Sequence, residues 1–286
     1  MSDLNLQDID LDALTADNEG TDALGFEASN LINTLGAQIA ATQSPIDLGA
    51  DPGEAKLLIG LELDNSPSMG WHYACGDASW ITTLKYHGLV AKTLLEKKVP
   101  GDSEMLTFLL NQYPGYVQQV LGSGHAEFTW ANLSKVPIML IPTEVSQYLT
   151  GGTPLYERSR IFLASIKTRA LYWQQTENIP CRSVSAIISD GGSTDDVRYR
   201  DQYADECKLL IAELRKNRMH RVLFVGIDDG STDFVAVATR MGIPAHDIRV
   251  ISQNTDDLGE FFLQFSQMSV TASQTAGPID HIKLGN

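Results

Sequence analysis

The sequence is poor in cysteine. Its three cysteines, Cys75, Cys181 and Cys207, are widely spaced and form no Cys-x-x-Cys pair. Small domains that depend on disulfides carry an even set of cysteines at short spacings. The pattern therefore does not predict a disulfide-stabilised fold.

Long apolar runs are also missing. The chain begins Met-Ser-Asp-Leu and shows neither the cationic region nor the apolar region of a secretory signal. Its apolar stretches are all shorter than the roughly 18 residues that a membrane-spanning helix needs. These absences predict a cytoplasmic protein with no membrane partner.

Positive charge is absent from the start of the chain. Residues 1–54 hold eleven Asp or Glu and no Lys or Arg, and the whole chain has a formal net charge of −15. Proteins that bind nucleic acid normally present a stripe of Lys and Arg that displaces counterions from phosphate. The sequence shows no such stripe, so we expect no nucleic-acid partner.

Three regions are expected from these patterns. Residues 1–54 form an acidic segment that is partly disordered, with an amphipathic helix at 23–42. Residues 55–268 form the main domain, and the hydrophobic content of 43% is enough for a sizeable core. Residues 269–286 form a polar tail.

From Lys56 onwards, apolar strands alternate with helical patterns. This alternation predicts βαβ units and an α/β fold, with a mostly parallel, Rossmann-like doubly wound sheet covered by helices on both faces. We expect strands near 56–63, 104–110, 183–189, 221–227 and 248–252. We expect helices near 79–98, 154–173, 201–217, 231–241 and 256–268.

Polar residues follow two of the predicted strands. Asp64, Ser66 and Ser68 follow the first strand, Asp190 follows the third, and Thr153 lies between two glycines and a proline. Loops beyond the carboxyl ends of parallel strands form the ligand crevice of α/β sheets. Carboxylate and hydroxyl oxygens suit Mg²⁺ or Mn²⁺ better than Zn²⁺, which prefers nitrogen and sulfur. The simpler interpretation is that each segment only closes a turn or caps a helix.

Together the five residues match, in order, the DxSxS…T…D set of the metal-ion-dependent adhesion site (MIDAS). Over about 55–268 the chain resembles a von Willebrand factor A (VWA) domain, of the intracellular prokaryotic type because no secretory signal is seen. The resemblance implies the VWA fold, in which a short antiparallel edge strand follows the second strand. Tyr116 to Leu121 and Pro137 to Ile141, within an elaborated region 111–150, are both candidates for it.

The resemblance also implies the role of each site residue. Ser66 and Ser68 are expected to contact Mg²⁺ or Mn²⁺ directly, and Thr153 in one of two states. Asp64 and Asp190 are expected to act largely through bound water. One departure is Pro67, which stands between the serines where common family members have glycine and which stiffens the loop.

The implied function is a non-enzymatic, metal-dependent protein–protein interaction module that binds a carboxylate of its partner. That partner is expected to be a protein that supplies an Asp or Glu, with AAA+ ATPases and larger assemblies as candidates. The alternatives are a Mg²⁺-dependent phosphoester hydrolase and a structural VWA domain with a vestigial site. Against the hydrolase, the motifs contain no histidine and the chain has no Gly-x-x-x-x-Gly-Lys phosphate loop. The acidic segment is either docked on the main domain or an internal competitor for the metal, and the sequence leaves both open.

Overall fold

The computed structural model describes residues 55–70, 79–100, 103–111, 130–136, 149, 151–253, 255–275 and 277–282. All of them belong to one compact unit, Leu48–Asn286. The helix expected at 23–42 lies outside the described residues, as do both ranges proposed for the edge strand.

One six-stranded sheet organises the described residues. Its strands are β1 (Lys56–Leu63), β2 (Glu104–Leu109), β3 (Trp130–Asn132), β4 (Cys181–Ser189), β5 (His220–Ile227) and β6 (Ile248–Ile251). Their order across the sheet is β3-β2-β1-β4-β5-β6. Every neighbouring pair is parallel except β2 and β3, which are antiparallel. The predicted α/β class with a mostly parallel sheet is therefore confirmed, and an antiparallel edge strand is present at β3.

Five α-helices surround this sheet within the described part of the chain. They are α1 (Ser79–Glu96), α2 (Leu155–Gln175), α3 (Arg200–Arg215), α4 (Phe234–Arg240) and α5 (Thr255–Gln274). Apolar side chains of α1 and α5 share one core cluster with residues of β1, β4 and β5. Helix α2 packs on the opposite face, where the rings of Phe108 and Phe162 lie 5.8 Å apart.

Strand β1 is buried on both faces, as its continuous apolar sequence predicts. One set of alternating residues joins the core cluster with α1 and α5: Leu57, Ile59, Leu61 and Leu63. The other set faces α2, and there Gly60 allows a close approach. A Cβ at Gly60 would lie only 2.8 Å from Cζ of Phe162. The carboxyl end of β1 is thus held between two helical layers.

Helix α5 is longer than its sequence predicts. The helix was expected to end near 268 but continues to Gln274, and Ser269 in the added turns is buried. Its hydroxyl donates to the carbonyl of Phe265 at 2.9 Å, and that of Thr271 donates to Gln267 at 2.9 Å. Serine and threonine satisfy their own hydroxyls in this way within a helix, so their polarity does not end it.

Helix α4 begins later than predicted. The helix was expected to begin near 231, but its first residue is Phe234, and Asp233 caps it by accepting the N–H of Ala236 at 2.9 Å. Ser231 instead donates to Asp229 in the preceding turn. The helix ends at Arg240, close to the expected 241, and Gly242 follows with a φ of 88°, a conformation that favours glycine after a helix.

Membrane insertion finds no support in the described helices, none of which combines the length and apolarity of a membrane span.

Eight large apolar residues of the central strands are buried: Leu58, Ile59, Leu63, Ile187, Ile188, Leu223, Val225 and Ile227. We predict that Ile187→Ala or Leu223→Ala lowers the free energy of unfolding by about 2 to 5 kcal/mol, because each leaves a cavity in a packed core. Urea unfolding measures the change. Leu209→Ala is the control, since Leu209 on α3 is 62% exposed and should cost little. Equal losses at all three positions would show that the core is wrongly placed.

Candidate functional site

The two aspartates of the motif lie at neighbouring strand ends. Strands β1 and β4 are paired in parallel, with Leu63 opposite Ile188. The backbone N–H of Asp64 continues this ladder by donating to the carbonyl of Ile188 at 2.9 Å. Asp64 and Asp190 therefore leave adjacent central strands at the same edge of the sheet.

The Asp64 side chain is fully buried and held at both oxygens. Its Oδ1 accepts the N–H of Ser66 at 2.8 Å, and its Oδ2 accepts the hydroxyl of Ser189 at 2.6 Å. Burial raises the pKa of Asp64 above its usual value, although these hydrogen bonds oppose the rise. Ser189, the last residue of β4, is thus a partner of the site that sequence reasoning missed.

The two serines connect the aspartates, through the backbone N–H of Ser66 and the two hydroxyls. Ser66 Oγ and Ser68 Oγ lie 3.0 Å apart, and Ser68 Oγ donates to Oδ1 of Asp190 at 2.9 Å. The serines are brought together by a short 3₁₀ turn, Pro67–Gly70, that begins at the proline. Asp64, Ser66, Ser68 and Asp190 form one connected group, which we call the oxygen cluster.

Asp190 has an unusual environment. Its side chain is 1% exposed, and its Oδ2 has no hydrogen-bond partner in the described structure. Burial, together with the nearby charge of Asp64, raises the pKa of Asp190 to about 7. An unsatisfied buried carboxylate oxygen costs free energy, so this atom marks a place where a ligand can bind.

Thr153 lies beside the oxygen cluster rather than within its hydrogen bonds. It is buried, and a Cβ added to Gly191 would lie 3.4 Å from its hydroxyl oxygen. The threonine therefore borders the residue that follows Asp190. The structure brings the five predicted residues to one edge of the sheet, four of them linked directly.

An asparagine pair joins a third strand to this edge, and sequence reasoning missed its role. Asn65 Nδ2 donates to the carbonyl of Asn111 at 2.8 Å, and the N–H of Asn111 donates back to Asn65 Oδ1 at 2.7 Å. Asn111 Nδ2 also donates to the carbonyl of Gly152 at 2.5 Å. Its position in the sequence could have indicated this role, because Asn111 lies just beyond the end of β2 and Asp64 lies just beyond the end of β1.

A third buried carboxyl, that of Glu62, lies near the oxygen cluster. Glu62 precedes Asp64 by two residues on β1, and its Oε2 accepts the hydroxyl of Ser159 at 2.8 Å. Its Oε1 is buried without a hydrogen-bond partner in the described structure. Burial raises the pKa of Glu62 to about 8, so this carboxyl is largely protonated at neutral pH.

The chemistry of the donors limits which metal the site suits. Within the part of the chain that the structure describes, no group of three or more His, Cys, Asp or Glu side chains is arranged to hold a metal. The described residues therefore offer no centre built from three or more such ligands. The oxygen cluster is different in kind, because it combines two carboxyls with two hydroxyls. Its oxygen donors and its unsatisfied carboxylate oxygen fit a hard cation such as Mg²⁺.

Comparison with known proteins gives no family. No family model matches the chain, and no curated protein matches it. Among solved structures, it is similar to the PilB minor pilin from Streptococcus sanguinis, with 12% identity and a TM-score of 0.49 over 81% of this chain and 63% of that one. It is also similar to the pilus adhesin SpaC from Lactobacillus rhamnosus GG, with 11% identity and a TM-score of 0.47 over 76% of this chain and 31% of that one. The chain thus spans less than two thirds of either protein, and likenesses this weak carry no argument about its function.

These findings contradict the family expectation. The similar structures are described as a minor pilin and a pilus adhesin, and no family model supports assignment to VWA domains or to their intracellular prokaryotic members. The physical reason is that Asp, Ser and Thr after a strand also satisfy local backbone groups, as Asp64 does for Ser66. Five such residues therefore identify a sheet edge more securely than a family.

Two further expectations, the function and the location, are corrected together with the family. The MIDAS interaction module that binds a partner carboxylate is not supported, nor are its alternatives, the phosphoester hydrolase and the vestigial VWA domain. The expected cytoplasmic location is also corrected: no comparison supports it, and the similar structures are named as a minor pilin and a pilus adhesin. It was inferred from a missing secretory signal, which is a weak basis for placing a protein.

We predict that Glu62→Gln changes how stability depends on pH. The folded protein holds a proton on Glu62 that the unfolded chain releases, so this group makes folding less favourable as pH rises from about 4.5 to about 8. Glutamine has no carboxyl group, so its side chain does not titrate between these pH values. The free energy of unfolding of the variant, relative to wild type, should therefore improve between pH 5 and about pH 8.

Urea unfolding at the two pH values tests this expectation. Glu96→Gln is the control, because Glu96 is exposed near the end of α1 and its replacement should shift stability equally at both. A constant difference between Glu62→Gln and wild type would show that Glu62 is not protonated in the folded protein.

Proposed function

We propose that the chain is a non-enzymatic binding domain that holds a hard divalent cation, Mg²⁺ or Mn²⁺, at the oxygen cluster. The observation that carries this proposal is the unsatisfied Oδ2 of Asp190, buried beside a second buried carboxyl and two hydroxyls. Ser66, Ser68 and Thr153 would contribute neutral oxygens, and Asp64 and Asp190 would contribute negative charge.

Electrostatics supports a cation at this place. Burial raises the pKa of Asp190 to about 7, and the charge of Asp64 contributes to the rise, so the two carboxyls cannot both ionise without a large free-energy cost. A divalent cation would offset both charges and give the free carboxylate oxygen a partner. Mg²⁺ requires about six oxygens at roughly 2.1 Å and readily keeps water among them, so a cluster that supplies only some of the six is sufficient.

The strand order also supports a binding role for this edge. We propose that the sheet is Rossmann-like and doubly wound, since β3-β2-β1-β4-β5-β6 follows the common order of such folds. In those folds ligands bind beyond the carboxyl ends of the strands, where the strand order reverses. Here that point lies between β1 and β4, the strands that carry Asp64 and Asp190.

The partner expected from the sequence, a protein that supplies an Asp or Glu, stays a prediction. No contact among the described residues tests it, and the candidate assemblies are likewise untested.

We predict that the protein binds Mn²⁺ or Mg²⁺ in calorimetric titration and that Ser66→Ala with Ser68→Ala abolishes the heat of binding. The double variant removes both hydroxyls and also the hydrogen bond to Asp190. It should still fold, because both serines lie beyond the end of β1 rather than in the apolar core.

The matched control is Ser165→Ala. Ser165 lies on α2, where its hydroxyl donates to the carbonyl of Ile161 at 2.9 Å, away from the oxygen cluster. This variant should bind as wild type does. The proposal would be contradicted if the folded wild-type protein bound neither cation. It would also be contradicted if the double serine variant bound the cation as wild type does.

A further inference from the structure

The loop that carries Thr153 is fastened to the loop that follows Asp190. The N–H of Thr194 donates to the carbonyl of Thr153 at 2.8 Å, and the N–H of Thr153 donates to the hydroxyl of Thr194 at 2.6 Å. The loops approach so closely that a Cβ at Gly152 would lie 2.5 Å from Oγ1 of Thr194. We call Thr153, Thr194 and Asp195 the loop clasp.

Asp195 completes the clasp by capping a helix from another part of the chain. Helix α2 begins after Pro154, which makes no side-chain capping hydrogen bond. Instead, Oδ2 of Asp195 accepts the N–H of Tyr156 at 2.9 Å, and Oδ1 accepts the N–H of Glu157 at 2.9 Å. A carboxylate here both satisfies free N–H groups and opposes the positive end of the helix.

The Asp195 side chain is itself held firmly. It is 3% exposed, the hydroxyl of Ser193 donates to it, and Nη2 of Arg200 donates to its backbone carbonyl at 3.0 Å. Both carboxylate oxygens are occupied, because they accept hydrogen bonds from Tyr156, Glu157 and Ser193. Asp195 is therefore not placed as a cation ligand, and it can affect the oxygen cluster only through the residues that it holds.

We infer that Asp195 and Thr194 are positioning residues for the cation site, and that they fix Thr153 beside the oxygen cluster. This inference rests on the proposed function. Asp190 belongs to the oxygen cluster, and Asp195, a few residues later in the sequence, anchors the first turn of α2. The loop clasp connects this segment to Thr153. It thereby sets where Thr153 lies relative to Asp190. Loss of the clasp frees the threonine and lowers affinity for the cation while the sheet stays intact.

The central test is Asp195→Asn, titrated with Mn²⁺ beside wild type. Asparagine keeps the size of the side chain but leaves only one oxygen for the two N–H groups of α2. We expect the affinity to fall about tenfold or more, as for other residues that orient metal ligands. Asp196→Asn is the control, because the side chain of Asp196 is exposed, pairs with nearby Arg198 and takes no part in the loop clasp. It should bind Mn²⁺ as wild type does.

Thr194→Val tests the same positioning role if Asp195→Asn does not fold. Valine removes the hydroxyl that accepts the Thr153 N–H and leaves the backbone hydrogen bond between the loops. The affinity for Mn²⁺ should again fall about tenfold or more. Wild-type affinity in this variant would overturn the inference.

A double-mutant cycle with Thr153→Val separates positioning from a general structural role. If Asp195 acts through the threonine hydroxyl, Asp195→Asn should weaken Mn²⁺ binding in wild type and cause little further loss in Thr153→Val. Additive losses would overturn the inference. A wild-type protein that binds no Mn²⁺ would overturn the proposed function and this inference together. Wild-type binding with an unaffected Asp195→Asn would overturn this inference alone.

Discussion

The site depends on one electrostatic constraint, which is that two buried carboxyls, Asp64 and Asp190, share the end of one pair of parallel strands. Hydrogen bonds occupy both oxygens of Asp64, but one oxygen of Asp190 has no partner in the described structure. The raised pKa of each group reflects the same cost of placing negative charge in a buried place. A proton or a cation must offset that charge, and the hydroxyls nearby favour a hard cation.

The surrounding structure keeps this arrangement in place. The pairing of β1 with β4 sets the two strand ends side by side, and the helical layers on both faces exclude water from β1. Asn65 and Asn111 link the loop after β1 to the loop after β2. Asp195 links the loop after β4 to helix α2. Each of these three loops is thus tied to another loop or to a helix.

Much of the fold could be predicted from local pattern. Strands buried on both faces have continuous apolar sequences, so β1 and β4 were placed within two residues of their observed bounds. The convergence of Asp64, Ser66, Ser68 and Asp190 followed from parallel strands ending at one edge.

Helix ends were harder to predict, because the serine and threonine residues whose hydroxyls bond within α5 are typical of a loop in sequence. The roles of Asn111 and Asp195 depend on hydrogen bonds to residues about forty positions away, which no local pattern shows. The family and the location were wrong because a short polar motif and a missing signal are weak grounds for either.

The most direct test of the central claim is a crystal of the protein soaked in Mn²⁺ and measured at an anomalous wavelength. The account predicts an anomalous peak at the oxygen cluster, within about 2.5 Å of the hydroxyl oxygens of Ser66 and Ser68. The peak should disappear in crystals of the double serine variant. An ordered oxygen cluster without a peak in the wild-type crystal would contradict the claim, as would a peak bound only at other residues.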